Sequence, residues 1–191
     1  MSLDRKKKII EAATNSFSMF GYKATTMDQV SKIANVGKGT IYTYFTNKEE
    51  LFDEILQRLL DEMKQVADKA IDSNASLFAN LHSVLYGVLA FRKEHQLTIK
   101  LSQEVMELGT HEAVQALKKV EETILSYIRH YIEVLLQKGK IKECDPELTA
   151  FVMLKLYIAL VFDWERNHEA LSEEKIAEMF KLYLLKGLAL D

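Results

Sequence analysis

TMDQVSKIANVGKGTIYTYF, residues 26–45, reads as two short helices joined by a tight turn at Asn35-Val36-Gly37. Thr26 followed three residues later by Gln29 is a capping box, in which each side chain can satisfy a backbone N–H of the other. Met27, Val30, Ile33 and Ala34 recur at spacings of three and four and predict one apolar face. Gly37 stands where the chain must turn, and glycine tolerates the positive φ such a turn often needs. The second helix is expected to bury Ile41 and Phe45, one turn apart.

Lys38, Gly39, Thr40, Thr43 and Tyr44 then point largely elsewhere. Small, hydroxylic, aromatic and basic residues on one face of a very short helix suit the DNA major groove. An ordinary αα-corner would carry a similar pattern. Against it, Tyr42 and Tyr44 cannot both join Ile41 and Phe45 on one narrow stripe, so at least one is expected at the surface. The next segment, TNKEEL, opens a helix with Asn47 as cap and Glu50 at its third position. Lys48 falls near that N-terminus, where a helix attracts phosphate.

The strings VGKGTIYTYFTNKEEL (36–51), ATTMDQVSKIA (24–34) and IIEAATNSFSMFGY (9–22) resemble the DNA-binding domain of TetR-family transcriptional regulators. The resemblance is specific over roughly residues 5–60 and loose afterwards. It implies an N-terminal three-helix helix-turn-helix domain and a larger helical domain for effector binding and dimerisation. It also implies a dimeric repressor that a small molecule releases from DNA. In this reading Thr26, Tyr42 and Lys48 hold phosphate. Lys38, Thr40, Thr43 and Tyr44 approach bases, and Gly39 allows close contact.

Charge agrees with that division. Residues 1–48 carry eight Lys/Arg against three Asp/Glu, a net of +5, while the remainder has a net of −8. An acidic chain with a basic head has the electrostatic footprint of a nucleic-acid binder. Arg5-Lys6-Lys7-Lys8 reads equally as a solvated tail or as a phosphate-touching arm, which adds affinity without reading sequence.

The other elements predict an all-α chain of about nine helices. It has one proline, seven glycines and no alternating strand-like run. A first helix from about Asp4 to Phe20 carries Ile9, Ala13, Phe17 and Phe20 on its stripe, and Gly21 ends it. A long helix from Lys48 to about Ile71 carries Leu51, Phe52, Ile55, Leu56, Leu59, Leu60, Met63, Val66 and Ala70. Domains are expected at 1–47, 48–71 as a connecting helix, and 72–191. Residues 72–76 form a polar break, and helices follow over 77–93, 97–108 and 111–138. The last of these carries Val114, Leu117, Ile124, Ile128, Tyr131 and Leu135 on its stripe. Asp145-Pro146 starts a helix to about Glu165, and Ser172 caps one running to Leu188.

Residues 154–162 and 179–185 are apolar almost all round. A helix apolar on every side needs burial on every side, and a two-fold dimer supplies it. By resemblance these last two helices form a four-helix bundle with their copies. The family's ligand pocket lies between the middle helices. Tyr86, Leu89, Met106, Tyr127, Tyr131 and Trp164 are the candidate lining, as large, partly polar groups on apolar faces. Each taken singly is better explained by packing. The lining favours an apolar or amphipathic effector. LTIKLSQEVMEL (97–108) resembles the matching part of fatty-acid-responsive members of the family.

Other function classes find little support. Glu104, Glu107 and His111 read as a solvated face rather than a metal site, with Gly109-Thr110 interrupting their helix. No local motif supports nucleophilic catalysis, no cofactor is expected, and an enzyme is not the reading. One cysteine, Cys144, excludes an intrachain disulfide and fits a reducing cytoplasm. No secretory signal is expected. The longest uncharged apolar run, residues 156–162, is far short of the ~20 residues a membrane helix needs. The alternative to a regulator is a helical ligand-binding or scaffold protein without DNA binding.

Overall fold

Gly21 shows how the sequence builds the N-terminal part of the molecule. The computed structural model describes residues 2–72, 75, 77–94 and 96–186. Helix α1 spans Ser2–Ala24 and is interrupted at Gly21, whose φ of 81° and ψ of 176° are not helical. Ile9, Ala13 and Phe17 are fully buried, as their spacing requires, but Phe20 is 43% exposed. The buried row runs at intervals of four, so it passes from Phe17 to Gly21 and leaves Phe20 beside it. Tyr22 takes the core position after the turn instead. It lies stacked on Phe17 and edge-on to Phe52.

The described residues hold helices and no strand. After α1 come α2 (Met27–Ile33), α3 (Lys38–Tyr42), α4 (Lys48–Ala70), α5 (Leu77–Glu94), α6 (Leu97–Leu108), α7 (His111–Gln137), α8 (Pro146–Ile158) and α9 (Glu173–Phe180). Most stops are those expected. Gly109 and Gly139 have φ of 60° and 59° just past the ends of α6 and α7. Asp145 accepts the N–H groups of Glu147 and Leu148 at 2.9 and 3.0 Å and so caps α8. Ser172 accepts the Lys175 N–H at the start of α9.

The last two helices differ from the expectation. Each widens into a π-helical turn, Ala159–Asp163 after α8 and Lys181–Leu185 after α9, and Trp164–Arg166 then form a 3₁₀ turn. The expected end at Leu188 and most of the polar break at 72–76 lie outside the described residues. No helix among the described residues is long and apolar enough to cross a membrane.

The chain packs as two compact units. The first comprises Met1–Met63 with Phe91–Val120, and the second Lys64–Ala90 with Glu121–Asp191. The first unit therefore includes α6 and the start of α7. Its core joins Ile9, Ala13 and Phe17 of α1 to Val30, Ile41 and Phe45, to Leu51, Leu56 and Leu60 of α4, and to Leu97 and Leu101 of α6. On α7 it takes Ala113 and Ala116, whereas Val114 is 39% exposed. The small residues let the start of α7 lie close, and the larger neighbour faces out.

In the second unit one cluster is Leu85, Val161, Ile176, Ala177 and Phe180. Another is Ile132, Ile141, Ala150 and Met153. Leu184 packs against both. Gly87 leaves room for Val66 of α4, whose methyl would lie 3.0 Å from a β-carbon there.

Phe17 has no exposed surface and meets two aromatic rings. Phe17→Ala is expected to lower stability by about 3–5 kcal/mol, from lost transfer energy plus the cavity. Urea unfolding of the full chain measures it, and a loss under about 1 kcal/mol would mean the site collapses to fill the space.

Candidate nucleic-acid interface

Short helices rarely hold themselves, so α2 and α3 depend on their caps and their few buried side chains. Thr26 accepts the Gln29 N–H at 3.2 Å and starts α2. The face of α2 that packs inward is Met27, Val30, Ser31 and Ala34. Ile33 is 51% exposed, against the expectation. Successive helical residues turn by about 100°, so positions 27, 30, 31 and 34 share a stripe and position 33 lies off it. Ser31 keeps its buried hydroxyl satisfied by donating to the Asp28 carbonyl at 2.8 Å.

The turn after α2 is also built differently from the expectation. Its left-handed residue is Asn35, φ 53°, while Gly37 is extended at φ −64° and ψ 146°. Val36 N–H donates to the Ser31 carbonyl at 3.0 Å and Asn35 N–H to that of Lys32 at 3.2 Å. This is the Schellman pattern, with asparagine in glycine's usual place. Val36 packs against the core, which pins the turn.

Helix α3 buries only Ile41. Phe45 follows at 3% exposure and Tyr44 is half-buried against the same core. Tyr42 is the outward tyrosine, 46% exposed. Thr26, Lys38, Gly39, Tyr42 and Thr43 are all exposed and Thr40 is half-buried. The Thr43 hydroxyl donates to the Thr40 carbonyl at 2.7 Å. A β-carbon on Gly39 would meet nothing within 4 Å, so a second surface can approach the backbone there.

The cations of this face already have partners. The Lys38 ammonium lies 2.7 Å from Asp28, an ion pair that holds the Asp28 carboxyl below its usual value and the lysine above its own. Lys48 is half-buried. Its ammonium donates to the Tyr22 carbonyl at 3.0 Å and sits 4.1 Å from the centre of the Tyr22 ring. In the N-terminal arm Lys6, Lys7 and Lys8 lie 3.7, 3.8 and 3.4 Å from Glu54, Glu11 and Asp4. Arg5, Lys8 and Asn15 of α1 line an open groove of about 560 Å³ with Asn35 and Val36 of the turn.

The start of α4 follows the sequence reading. Asn47 accepts the Glu50 N–H at 2.7 Å, and Glu50 reaches back to the Thr46 N–H at 2.6 Å. That backbone donor holds the Glu50 carboxyl below its usual value. Beside it the Tyr22 hydroxyl donates to Glu49 at 2.8 Å. Burial first, and the Glu49 carboxylate second, push the Tyr22 phenol well above its ordinary value of 10.0.

The six expected ligand-lining residues divide between the two units. Met106 belongs to the first unit and the others to the second. Met106 is 62% exposed, because the inward face of α6 is Leu97, Leu101 and Glu104. Trp164 is 41% exposed. It stacks on His168 with centroids 4.0 Å apart and donates its indole N–H to the Glu169 carbonyl. Tyr86 packs with the Val161–Phe180 cluster, and the Leu89 side chain lies outside the described residues. Tyr127 and Tyr131 do share their surroundings. The Tyr127 hydroxyl donates to Asp68 at 2.6 Å, and burial, followed by Asp68, raises its phenol above the ordinary range. Tyr131 is raised by burial while a bond with Asn80 opposes the shift. Asn80 also holds the Asp72 backbone through both its amide atoms, at 2.8 Å each. Sequence reasoning missed Asp28, Tyr22 and Glu104 as partners, since a charged or aromatic residue on a helix does not announce what faces it.

Residues 9–55 match the family model for bacterial regulatory proteins of the tetR family. Over 189 residues the chain is 60% identical to the uncharacterized HTH-type transcriptional regulator YhgD of Bacillus subtilis, covering 99% of each chain. It is 25% identical over 190 residues to the HTH-type transcriptional repressor KstR2 of Rhodococcus jostii, covering 97% of this chain and 91% of that one. Its fold is similar to that of the fatty acid degradation regulator FadR from Bacillus halodurans, with a TM-score of 0.74 and 20% identity. That match covers 95% of this chain and 94% of the other, and is a likeness of fold alone.

Tyr22 makes stability pH-dependent in the alkaline range. Its folded-state pKa is raised, so its contribution is complete below the unfolded value of 10.0 and is lost as pH rises above it. Thermal midpoints are expected to fall between about pH 9 and about pH 11, and to fall less steeply in Tyr22→Phe. Equal slopes in the two proteins would show that the phenol is not held neutral.

Proposed function

The chain belongs to the tetR family of bacterial regulatory proteins, and from that premise we propose that it represses transcription as a dimer on a palindromic operator, released by a small amphipathic effector. It is a transcriptional regulator by family. The observation that carries the DNA-binding reading is the division of α3: Ile41 alone is buried, and Lys38, Gly39, Tyr42 and Thr43 stand outward on a five-residue helix and its cap. Such a helix has no packing reason for this outer face, whereas a major groove accepts it.

Each residue then has a role. Thr26 and Tyr42 hold phosphate from the flanks, and Lys48 does so when its ammonium turns from the Tyr22 carbonyl. Lys38, Thr40, Thr43 and Tyr44 approach base edges, with Gly39 permitting close contact. Lys38 exchanges Asp28 for DNA, an exchange between exposed charges that salt screens. Repression is supported by KstR2, a repressor by name.

Dimerisation through the last two helices is supported by what they expose. Leu148, Phe151 and Val152 on α8, and Leu182 and Tyr183 after α9, are each between 43% and 65% exposed. A second copy would cover them and set two recognition helices about 34–36 Å apart. For the effector, Tyr127 and Tyr131 supply polar groups among apolar neighbours, and Tyr86, Leu89, Met106 and Trp164 extend the candidate lining. The resemblance of residues 97–108 to fatty-acid-responsive members of the family favours an acyl chain as the apolar part.

A mobility assay on the DNA upstream of its own coding region, at several salt concentrations, tests the interface. Thr43→Ala is expected to cost roughly 1 kcal/mol on the preferred sequence and relax preference, while Lys48→Ala weakens all sequences and lowers the salt slope by about one. Identical changes in the two variants would contradict the division of roles, and no binding by the parent protein would refute the repressor reading. Phe151→Glu is expected to convert the dimer to monomer in native mass spectrometry, and a dimer that survives it would place the interface elsewhere. The same spectrum of the unmodified protein from cells would show a bound effector as added mass.

A further inference from the structure

Glu104 is the only charged side chain buried among the described residues, at 5% exposure, and neither the outward face of α3 nor the candidate effector lining includes it. It projects from α6 onto the interruption in α1. One carboxylate oxygen, Oε2, accepts the Tyr22 N–H at 2.6 Å. The other, Oε1, accepts the Lys23 N–H at 3.0 Å. The approach requires Gly21: a β-carbon there would lie 2.3 Å from Oε2, and the φ of 81° already excludes most side chains. Around the joint the remaining polar groups are engaged. Thr25 donates to the Gly21 carbonyl at 2.8 Å, and Ser16 therefore donates to Thr25 across 3.2 Å.

Tyr22 carries the connection onward. Its carbonyl holds the Lys48 ammonium and its hydroxyl holds Glu49, the first two residues of α4. One residue thus bonds α6 on one side and the start of α4 on the other. We propose that Glu104 is the positioning residue of the DNA-binding head: its carboxylate fixes the α1–α2 joint, and through Tyr22 it fixes the pose of α3 and the start of α4. The joint needs a carboxylate in particular. Two N–H donors require two acceptors, and a glutamine amide offers one acceptor while turning a donor toward the other N–H. A side chain that only filled space would be replaced by glutamine without effect. The DNA arm of the test rests on the repressor reading, and the exchange arm does not.

The test uses the full chain as parent, Glu104→Gln and Glu104→Ala, with melting curves to confirm folding. Amide hydrogen exchange is read at Tyr22 and Lys23, and affinity is measured for the DNA upstream of its own coding region and for a scrambled duplex. In both variants exchange at Tyr22 and Lys23 is expected to quicken. The ratio of specific to scrambled affinity is expected to fall about tenfold, within the usual range of coupling between sites, while scrambled binding holds. Parent-like behaviour of Glu104→Gln in both readouts overturns the proposal in favour of space filling. Faster exchange with an unchanged ratio overturns it in favour of a local cap. If the parent itself does not prefer the upstream DNA, the repressor reading fails separately. The proposal is then decided at Glu50 and Leu51, whose N–H groups bond Asn47. Faster exchange there supports it, and parent rates there overturn it.

Discussion

Tyr22 is held by four different kinds of contact, and the N-terminal part of the molecule depends on them together. Its N–H goes to Glu104, its carbonyl to Lys48 and its hydroxyl to Glu49. Its ring is packed by Phe17 and Phe52. A backbone N–H buried without a partner costs about 1–3 kcal/mol, so a break in α1 at this depth is tolerable only because Glu104 meets it. The buried carboxylate is in turn tolerable because two donors meet it. Each half supplies the hydrogen-bond partners the other lacks, and this couples α6 to the joint.

That joint matters because α2 and α3, seven and five residues long, have almost no stability of their own. Val30, Ala34, Ile41 and Phe45 attach them to a core made by α1, α4 and α6. The Schellman turn at Asn35 ends α2, and the cap at Asn47 fixes where α4 begins. The outer face of α3 is then presented on that core. In the proposed role, binding DNA would exchange the Lys38–Asp28 ion pair for contacts with the duplex. Such an exchange favours selectivity over raw affinity, since only a well-matched site replaces every lost contact.

The second unit is built on a different logic. Helix α8 is apolar on nearly every side, and the π-helical turns after α8 and α9 shift the register of the residues beyond them. Apolar side chains remain exposed on α8 and in the turn after α9. Two polar pairs lie here: the Tyr127 hydroxyl donates to Asp68, and Tyr131 bonds Asn80, whose amide also holds the Asp72 backbone. A ligand entering there would have to replace those bonds as well as fill space.

The sequence by itself determined the elements and the family pattern. Caps at Thr26, Asn47, Asp145 and Ser172, and glycines at 21, 109 and 139, are local signals, because a helix end is satisfied by residues within a turn of it. The rows Ile9-Ala13-Phe17 and Leu51 to Leu60 were legible for the same reason, since periodicity depends only on spacing. Only the tertiary structure decided which side of each stripe faced in. Ile33, Phe20, Val114 and Met106 turned outward because the neighbouring helices pack over other positions, and Ser31, Ala113 and Glu104 took the inward places. Asn35 rather than Gly37 took the left-handed turn, a choice between two tolerant residues that spacing leaves open. Most of all, Glu104 meets Tyr22 across 82 positions of sequence. No local pattern encodes such a pair, because it exists only when two helices cross at a glycine that leaves room for it.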